Sequence, residues 1–277
     1  MDNKKTWFVT GASKGLGLTL VKHLLAAGYA VAATSRNAAA LTEAVGNHYN
    51  NFLPLQTDLA DDNSVAQAIQ SAVDKFGRID VAVNNAGYGI GGGIEELSDA
   101  ATRLSFDINV FGTLNVIRHV LPFMRRQRSG HIINISSIAG ISGNTGWSVY
   151  AAAKYAVTGL TDVLAQDVKE FGINVTLIAP GAFRTSFLTA DSLVLTDTPI
   201  ADYTAIRASH AKYATMDGVQ QGDPDKAAKA MIELVNMAEP PLYLLLGSDA
   251  YQRALNKLDQ LSTAFKATET LTKSTDY

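Results

Sequence analysis

The sequence has no cysteine, so disulfides and thiolate metal sites are excluded. A cysteine-free chain fits a reducing compartment. It also lacks any uninterrupted apolar run long enough to span a membrane. The opening residues, Met1 to Thr10, hold no signal-peptide core before an apolar strand pattern begins. The expectation is a cytoplasmic protein with no membrane partner. No basic stripe occurs and the net charge is −3, so nucleic acid is not an expected partner. The histidines, His23, His48, His119, His131 and His210, show no metal-ligand spacing, and no metal is expected. No internal repeat is present.

What is there reads as a folded globule. The chain has 277 residues, 47% of them apolar and 18% charged. Short apolar runs at 6–10, 30–34, 52–56, 79–83, 131–135, 173–178 and 241–246 predict strands. Helical periodicity fills 16–27, 38–48, 62–76, 98–128, 148–171, 225–237 and 250–265. This alternation predicts an α/β fold: a Rossmann-type, doubly wound parallel sheet of about seven strands with helices on both faces. The strands are apolar throughout, as strands covered on both sides should be. One domain over 1–277 is expected. Within it, 182–222 is expected to be a substrate loop or lid, and about 250–277 a helical tail. The last ten residues are polar and expected to fray.

The first strand ends in Thr10-Gly11-Ala12-Ser13-Lys14-Gly15-Leu16-Gly17, and a helix follows at once. Glycines there permit a tight turn, close approach of phosphate to backbone, and close packing of helix on sheet. The helix N-terminus offers free N–H groups to a pyrophosphate. At the end of the second strand a free ribose 2′-hydroxyl would call for an acid. The residues there are Thr34-Ser35-Arg36-Asn37, and no Asp or Glu occurs between Gly17 and Glu43. Arg36, with Lys14, would attract a 2′-phosphate instead, which predicts NADP(H) over NAD(H). The competing reading makes both solvated surface cations.

Tyr150 and Lys154 stand four apart in a helical stretch, on one face. An ammonium beside a phenol lowers its pKa and suits it to proton transfer. The fifth strand runs into Ser136-Ser137, whose hydroxyls either bond a substrate oxygen or serve a turn. The acids Glu95-Glu96 and Asp61-Asp62 are explained by helix starts.

At this point the chain resembles the classical short-chain dehydrogenases/reductases, over roughly residues 5–190 and more loosely beyond. "TGASKGLG" looks like that family's TGxxxGxG, "NNAG" at Asn84 to Gly87 its fourth-strand signature, and "YAAAK" its YxxxK. Ser137 lies thirteen residues before Tyr150, as the family's serine usually does, and "PGAFRT" at Pro180 to Thr185 looks like its segment beside the nicotinamide. The resemblance implies that Asn109, Ser137, Tyr150 and Lys154 are catalytic. Tyr150 would be the acid in reduction and the base in oxidation. Lys154 would lower its pKa and hold the nicotinamide ribose, Ser137 would polarise the carbonyl, and Asn109 would hold a water. The cofactor would be held by Gly11, Ser13, Lys14, Gly15, Leu16 and Gly17 of the glycine loop and by Ser35 and Arg36. Asp58 and Leu59 would serve near the adenine, and Asn85, Ala86 and Gly87 along the fourth strand. Pro180, Gly181, Phe183 and Thr185, with Tyr150 and Lys154, would complete the set.

Ile90, Ile138, Trp147, Phe183, Phe187, Leu188, Leu193 and Tyr203 form the expected pocket wall, which suits a hydrophobic ketone or aldehyde. A homo-dimer or homo-tetramer is implied, with the long fourth and fifth helices as the usual contact. The alternatives are an extended-branch isomerase or dehydratase, a reductase of carrier-bound acyl chains, and an NADP(H)-binding redox sensor or scaffold without turnover. The glycine spacing argues against the first. The full set of four argues against the sensor.

Overall fold

The computed structural model describes residues 4–277. Trp7 and Phe8 are neighbours in the first strand, and both are fully buried. Alternation sends them to opposite sides of the sheet, Trp7 into one apolar core and Phe8 into the other. All four residues of β1 (Thr6–Val9) are buried, and Trp7, Phe8 and Val9 are apolar, as a strand covered on both faces requires.

The strands are β1, β2 (Ala30–Ser35), β3 (Phe52–Gln56), β4 (Val81–Asn84), β5 (Gly89–Gly91), β6 (Gly130–Ile135), β7 (Ile173–Pro180), β8 (Leu193–Leu195) and β9 (Tyr243–Leu246). The helices are α1 (Gly15–Ala26), α2 (Ala38–Val45), α3 (Asp62–Phe76), α4 (Asp99–Phe106), α5 (Gly112–Gln127), α6 (Ser148–Asp167), α7 (Thr204–Ala214), α8 (Pro224–Asn236), α9 (Ser248–Ala267) and α10 (Glu269–Lys273). Seven strands form one parallel sheet in the order β3-β2-β1-β4-β6-β7-β9. The core on one face joins α1 and α8 to the sheet, and the core on the other joins α3, α5 and α6. The expected doubly wound sheet is present. The order runs outward from β1 to β3 and then restarts at β4, so a crevice opens between the carboxyl ends of β1 and β4. Ligands bind at such a switch point. No helix among the described residues is long and apolar enough to cross a membrane.

Two departures from the expected elements matter for the site. The single helix expected over 98–128 is broken by a π turn, Asp107–Phe111, between α4 and α5. Periodicity cannot register one extra residue in a turn, yet such bulges mark functional positions. The segment 182–222 is not irregular. β8 pairs in parallel with β5 in a second, two-stranded sheet, and α7 follows. Both strands are three residues long, too short for an alternating pattern to show.

Candidate functional site

The glycine loop is shaped by what it must touch. Gly11 and Gly15 hold positive φ of 65° and 59°. A Cβ on Gly11 would meet Ala86 Cα at 2.6 Å, and one on Gly17 would meet Asn85 Nδ2 at 2.4 Å. The fourth-strand segment is pressed against the loop and bonded to it. Asn85 Nδ2 donates to the carbonyls of Thr10 (2.9 Å) and Gly11 (3.0 Å), and the amides of Asn85 and Ala86 both donate to Thr10 Oγ1 at 3.1 Å. Side-chain oxygens of Asn37, Asp61, Ser98 and Asp223 cap α2, α3, α4 and α8. The N-terminus of α1 has no side-chain cap and no acid in its first turn. Its N–H groups are left for something else, and Gly15 and Leu16 at that end line the cavity. An anionic dinucleotide phosphate fits this cradle.

The cavity has a volume of about 570 Å³ and runs from the α1 end to the lid segment. Ser13, Lys14, Ser35, Arg36, Asp58 and Leu59 line one end. Arg36 is exposed there, and no ion pair of the described residues includes it. Lys14 Nζ donates to the Asp191 carbonyl at 2.9 Å, which ties the glycine loop to the lid. Asn85, Ala86, Gly87, Pro180, Gly181, Phe183 and Thr185 line the middle. Gly17 is buried behind the wall, where it lets α1 pack on Asn85.

Ser137, Tyr150 and Lys154 meet at the same cavity. Ser137 caps a short 3-10 turn by accepting from the Ala139 amide at 3.1 Å, and its hydroxyl also reaches Tyr150. Ser136 is engaged elsewhere, donating to the Lys154 carbonyl at 2.9 Å. Lys154 Nζ donates to the Ile135 carbonyl at 3.0 Å and lies 5.9 Å from the Tyr150 ring centroid. Burial pulls the Lys154 ammonium down to about 8. The Tyr150 phenol was expected to fall. Burial instead pushes it up to about 12, opposed by the Ser137 hydroxyl. Lys154 does not offset this, because its ammonium is turned to Ile135. Asn109 sits in the π turn, behind the cavity wall. Its Nδ2 donates to the Ser105 carbonyl at 2.9 Å and the Tyr88 carbonyl at 3.2 Å. A Cβ on Gly87 would lie 2.5 Å from Asn109 Oδ1 and 3.3 Å from Lys154 Nζ, so bare backbone alone separates the two.

The pocket wall needs two corrections. Ile90, Ile138, Trp147, Phe183, Phe187 and Leu188 line the cavity, but Leu193 and Tyr203 do not. Leu193 packs over Gly89, and strand alternation gives the wall Ser192 and Val194 instead. Tyr203 turns away to donate its hydroxyl to Glu95 at 2.6 Å.

Sequence reasoning also missed two groups. Gln220 lines the cavity, buried, with both amide atoms unpartnered among the described residues. Glu96 is a helix-start acid, at the 3-10 turn Ile94–Glu96, but it also does more. Its buried carboxylate accepts from the Gly93 amide (2.6 Å), the Ile200 amide (2.7 Å) and Arg207 Nη2 (2.6 Å). Burial pushes this carboxyl up, but the two amides and the guanidinium outweigh it and hold it below the ordinary range. The signal that could have found this clamp is the run Gly89-Ile90-Gly91-Gly92-Gly93 before it. A Cβ on Gly91 or Gly92 would meet Leu195 or Leu97 within 3 Å, so the run exists to be covered.

The family described as short chain dehydrogenase matches residues 5–193. The chain is 38% identical to the oxidoreductase BOA17 of Botryotinia fuckeliana, over 94% of this chain and 95% of that one. It is 34% identical to a 3-ketodihydrosphingosine reductase of Bacteroides thetaiotaomicron, over 86% of each. A short-chain dehydrogenase structure from Streptomyces avermitilis superposes with a TM-score of 0.91 at 33% identity, over 98% of this chain and 100% of that one.

Proposed function

Since the chain belongs to the short chain dehydrogenase family, we propose that this oxidoreductase reversibly reduces a hydrophobic ketone or aldehyde to an alcohol with NADP(H). The observation that carries this reading is the convergence of Ser137, Tyr150 and Lys154 on a cavity whose other end is the open N-terminus of α1. The nicotinamide cofactor supplies the hydride. Everything else falls to the protein.

The α1 amides and the bare backbone of Gly11 and Gly15 take the pyrophosphate. Arg36, free at the cavity edge, takes the 2′-phosphate that a carboxylate would repel. Ser13, Ser35, Asp58 and Leu59 surround the adenosine end, and Asn85, Ala86, Gly87, Pro180, Gly181, Phe183 and Thr185 the middle. Ser137 and Tyr150 hydroxyls hold the substrate oxygen between them. A phenol held near 12 is protonated at neutral pH, so Tyr150 is ready to give its proton to the forming alkoxide. Lys154, at about 8, is still mostly charged at pH 7 and holds the ribose hydroxyls beside Tyr150. Asn109 fixes the Tyr88 bend and the wall behind Lys154.

The substrate end is walled by Ile90, Phe187 and Trp147, which favours an apolar body. The relative named for a 3-keto substrate supports a ketone as the class.

The test is NADPH oxidation, followed by absorbance across a panel of hydrophobic ketones and aldehydes, with Tyr150→Phe beside the parent. Turnover is expected to fall roughly a thousandfold in the variant while NADPH still binds. Turnover retained in Tyr150→Phe would overturn the mechanism.

A further inference from the structure

The start of α9 is part of the cavity wall rather than a tail. Ala250 and Ala254 are buried against Ile138, Ile141 and Leu245, and Asp249 and Arg253 line the cavity from the same turns. Arg253 is half-buried, and its guanidinium donates to the Ser142 carbonyl. Ser142 lies on the loop between Ser137 and Trp147, so this cation stands at the substrate end, away from Lys14 and Arg36 at the adenosine end. A guanidinium has five N–H donors. The bond to Ser142 is the only side-chain hydrogen bond of Arg253 among the described residues, and no ion pair there includes it.

Asp249 stands one turn before Arg253 on α9 and would be its natural partner. It is turned away. Its Oδ2 accepts from the Ala182 amide at 2.8 Å, and a Cβ on Gly181 would meet its Oδ1 at 2.1 Å. The carboxylate is pressed on the Gly181 backbone and leaves Arg253 without an acid. A second donor stands on the same loop. Asn144 Nδ2 donates to the Tyr213 hydroxyl, which leaves the Tyr213 proton free, and both residues line the cavity. One backbone carbonyl can be met by any donor. A guanidinium with no acid beside it calls for an anion.

We propose that the substrate is a keto acid, whose carboxylate is held by Arg253 with the Tyr213 hydroxyl as a second donor. Its apolar body lies along Ile90, Phe187 and Trp147. The planar fork of a guanidinium matches the two oxygens of a carboxylate. This inference rests on the reductase reading above and narrows it from a hydrophobic ketone to one with an acidic end.

A matched pair of probes tests it. 3-Benzoylpropionate and its methyl ester share a ketone and an apolar body and differ by one charge. In NADPH oxidation at low salt, kcat/KM should favour the acid about thirtyfold in the parent. Arg253→Gln keeps a donor for Ser142 and removes the charge, so the ratio should fall to about one. The parent's preference should shrink as salt is raised. An Arg253 that only props the Ser142 loop would lower acid and ester together in the variant and keep the ratio, which overturns the proposal. A parent ratio near one overturns it too. So does a preference for acetoacetyl coenzyme A that is lost in Arg253→Gln, which would assign the guanidinium to phosphate. Calorimetry of 3-benzoylpropionate binding to the complex with oxidised cofactor reads the contact without turnover. Binding that weakens about thirtyfold in Arg253→Gln, with neither probe reduced, keeps the carboxylate site and sinks the reductase reading. Tyr150-dependent reduction of the ester, with acid binding that ignores Arg253, keeps the reductase reading and sinks the carboxylate site.

Discussion

The glycine loop and the lid segment cover the same cavity on opposite plans. The loop is held by neighbours in the sheet: Thr10, Gly11, Asn85 and Ala86 bond one another at the ends of β1 and β4. The lid is held from a distance: β8 pairs with β5, Lys14 reaches the Asp191 carbonyl, and one buried carboxylate grips Ile200 and Arg207 more than a hundred positions along the chain. A phosphate cradle needs many fixed donors, and adjacent strands supply them. A cover over a substrate needs to be placed and released, and few, distant attachments with one charged group among them suit that. The loop should then respond to whatever strains the sheet, and the lid to whatever removes one charge.

Acid separates the two, and it has the largest expected effect. His131 in β6 is buried, and burial pulls it from 6.5 to about 4, helped by Lys5. Thr176 gives its proton to the Pro241 carbonyl, so the His131 ring donates to Thr176 at 2.9 Å and is neutral. The unfolded chain takes up a proton below 6.5 that the folded chain refuses until about 4. Stability is thus full above pH 6.5 and falls as pH drops toward 4, by about 3 kcal/mol. Glu96 behaves differently, because its carboxyl is held below its ordinary range and keeps its grip over that window. Denaturant titrations at pH 7, 5.5 and 4.5 should show the loss in the parent and a much shallower slope in His131→Gln. An equal slope in both would place the acid sensitivity elsewhere.

The same contrast explains what could be read in advance. Seven parallel strands, the glycine loop and the pairing of Tyr150 with Lys154 are local in sequence, and each leaves a pattern of period two, period 3.6 or fixed spacing. Leu193 and Tyr203 were misplaced because only tertiary packing decides which way β8 and α7 turn. Glu96 was only half read, because a carboxylate at a helix start looks the same in sequence whether it faces water or also grips a buried guanidinium. The rise in the Tyr150 pKa was hidden for a similar reason. Spacing put Lys154 on the right face of α6, but the Ile135 carbonyl, nineteen positions earlier, decides where the ammonium points.

Glu96→Gln tests the lid half of the comparison directly. The amide keeps the shape and loses the charge that holds Arg207, the Gly93 amide and the Ile200 amide. Hydrogen exchange at Thr196, whose amide donates to Gly91 at 2.9 Å across the small sheet, should quicken about thirtyfold. The amides of β1 and β4 should not change. Unchanged exchange at Thr196 would mean that β5–β8 pairing, rather than the carboxylate, holds the cover.

Arg36→Ala has the smallest expected effect, and it decides whether the loop half is as locally specified as the sheet suggests. Arg36 follows Ser35, the last residue of β2, and is exposed at the cavity edge. An exposed guanidinium on a phosphate is screened by salt, so one such contact accounts for about tenfold in affinity, close to 1.4 kcal/mol. NADPH binding, followed by fluorescence, should weaken by about that factor, and NADH binding should stay the same. The difference should shrink as salt is raised. Equal losses for both cofactors would mean that Arg36 supports the adenosine end as a whole. No loss for NADPH would leave Lys14 as the remaining cation of the loop, and Lys14 is already bonded to the lid at Asp191. Cofactor choice would then depend on the distant segment, and the division between a locally built cradle and a remotely held cover would fail at that residue.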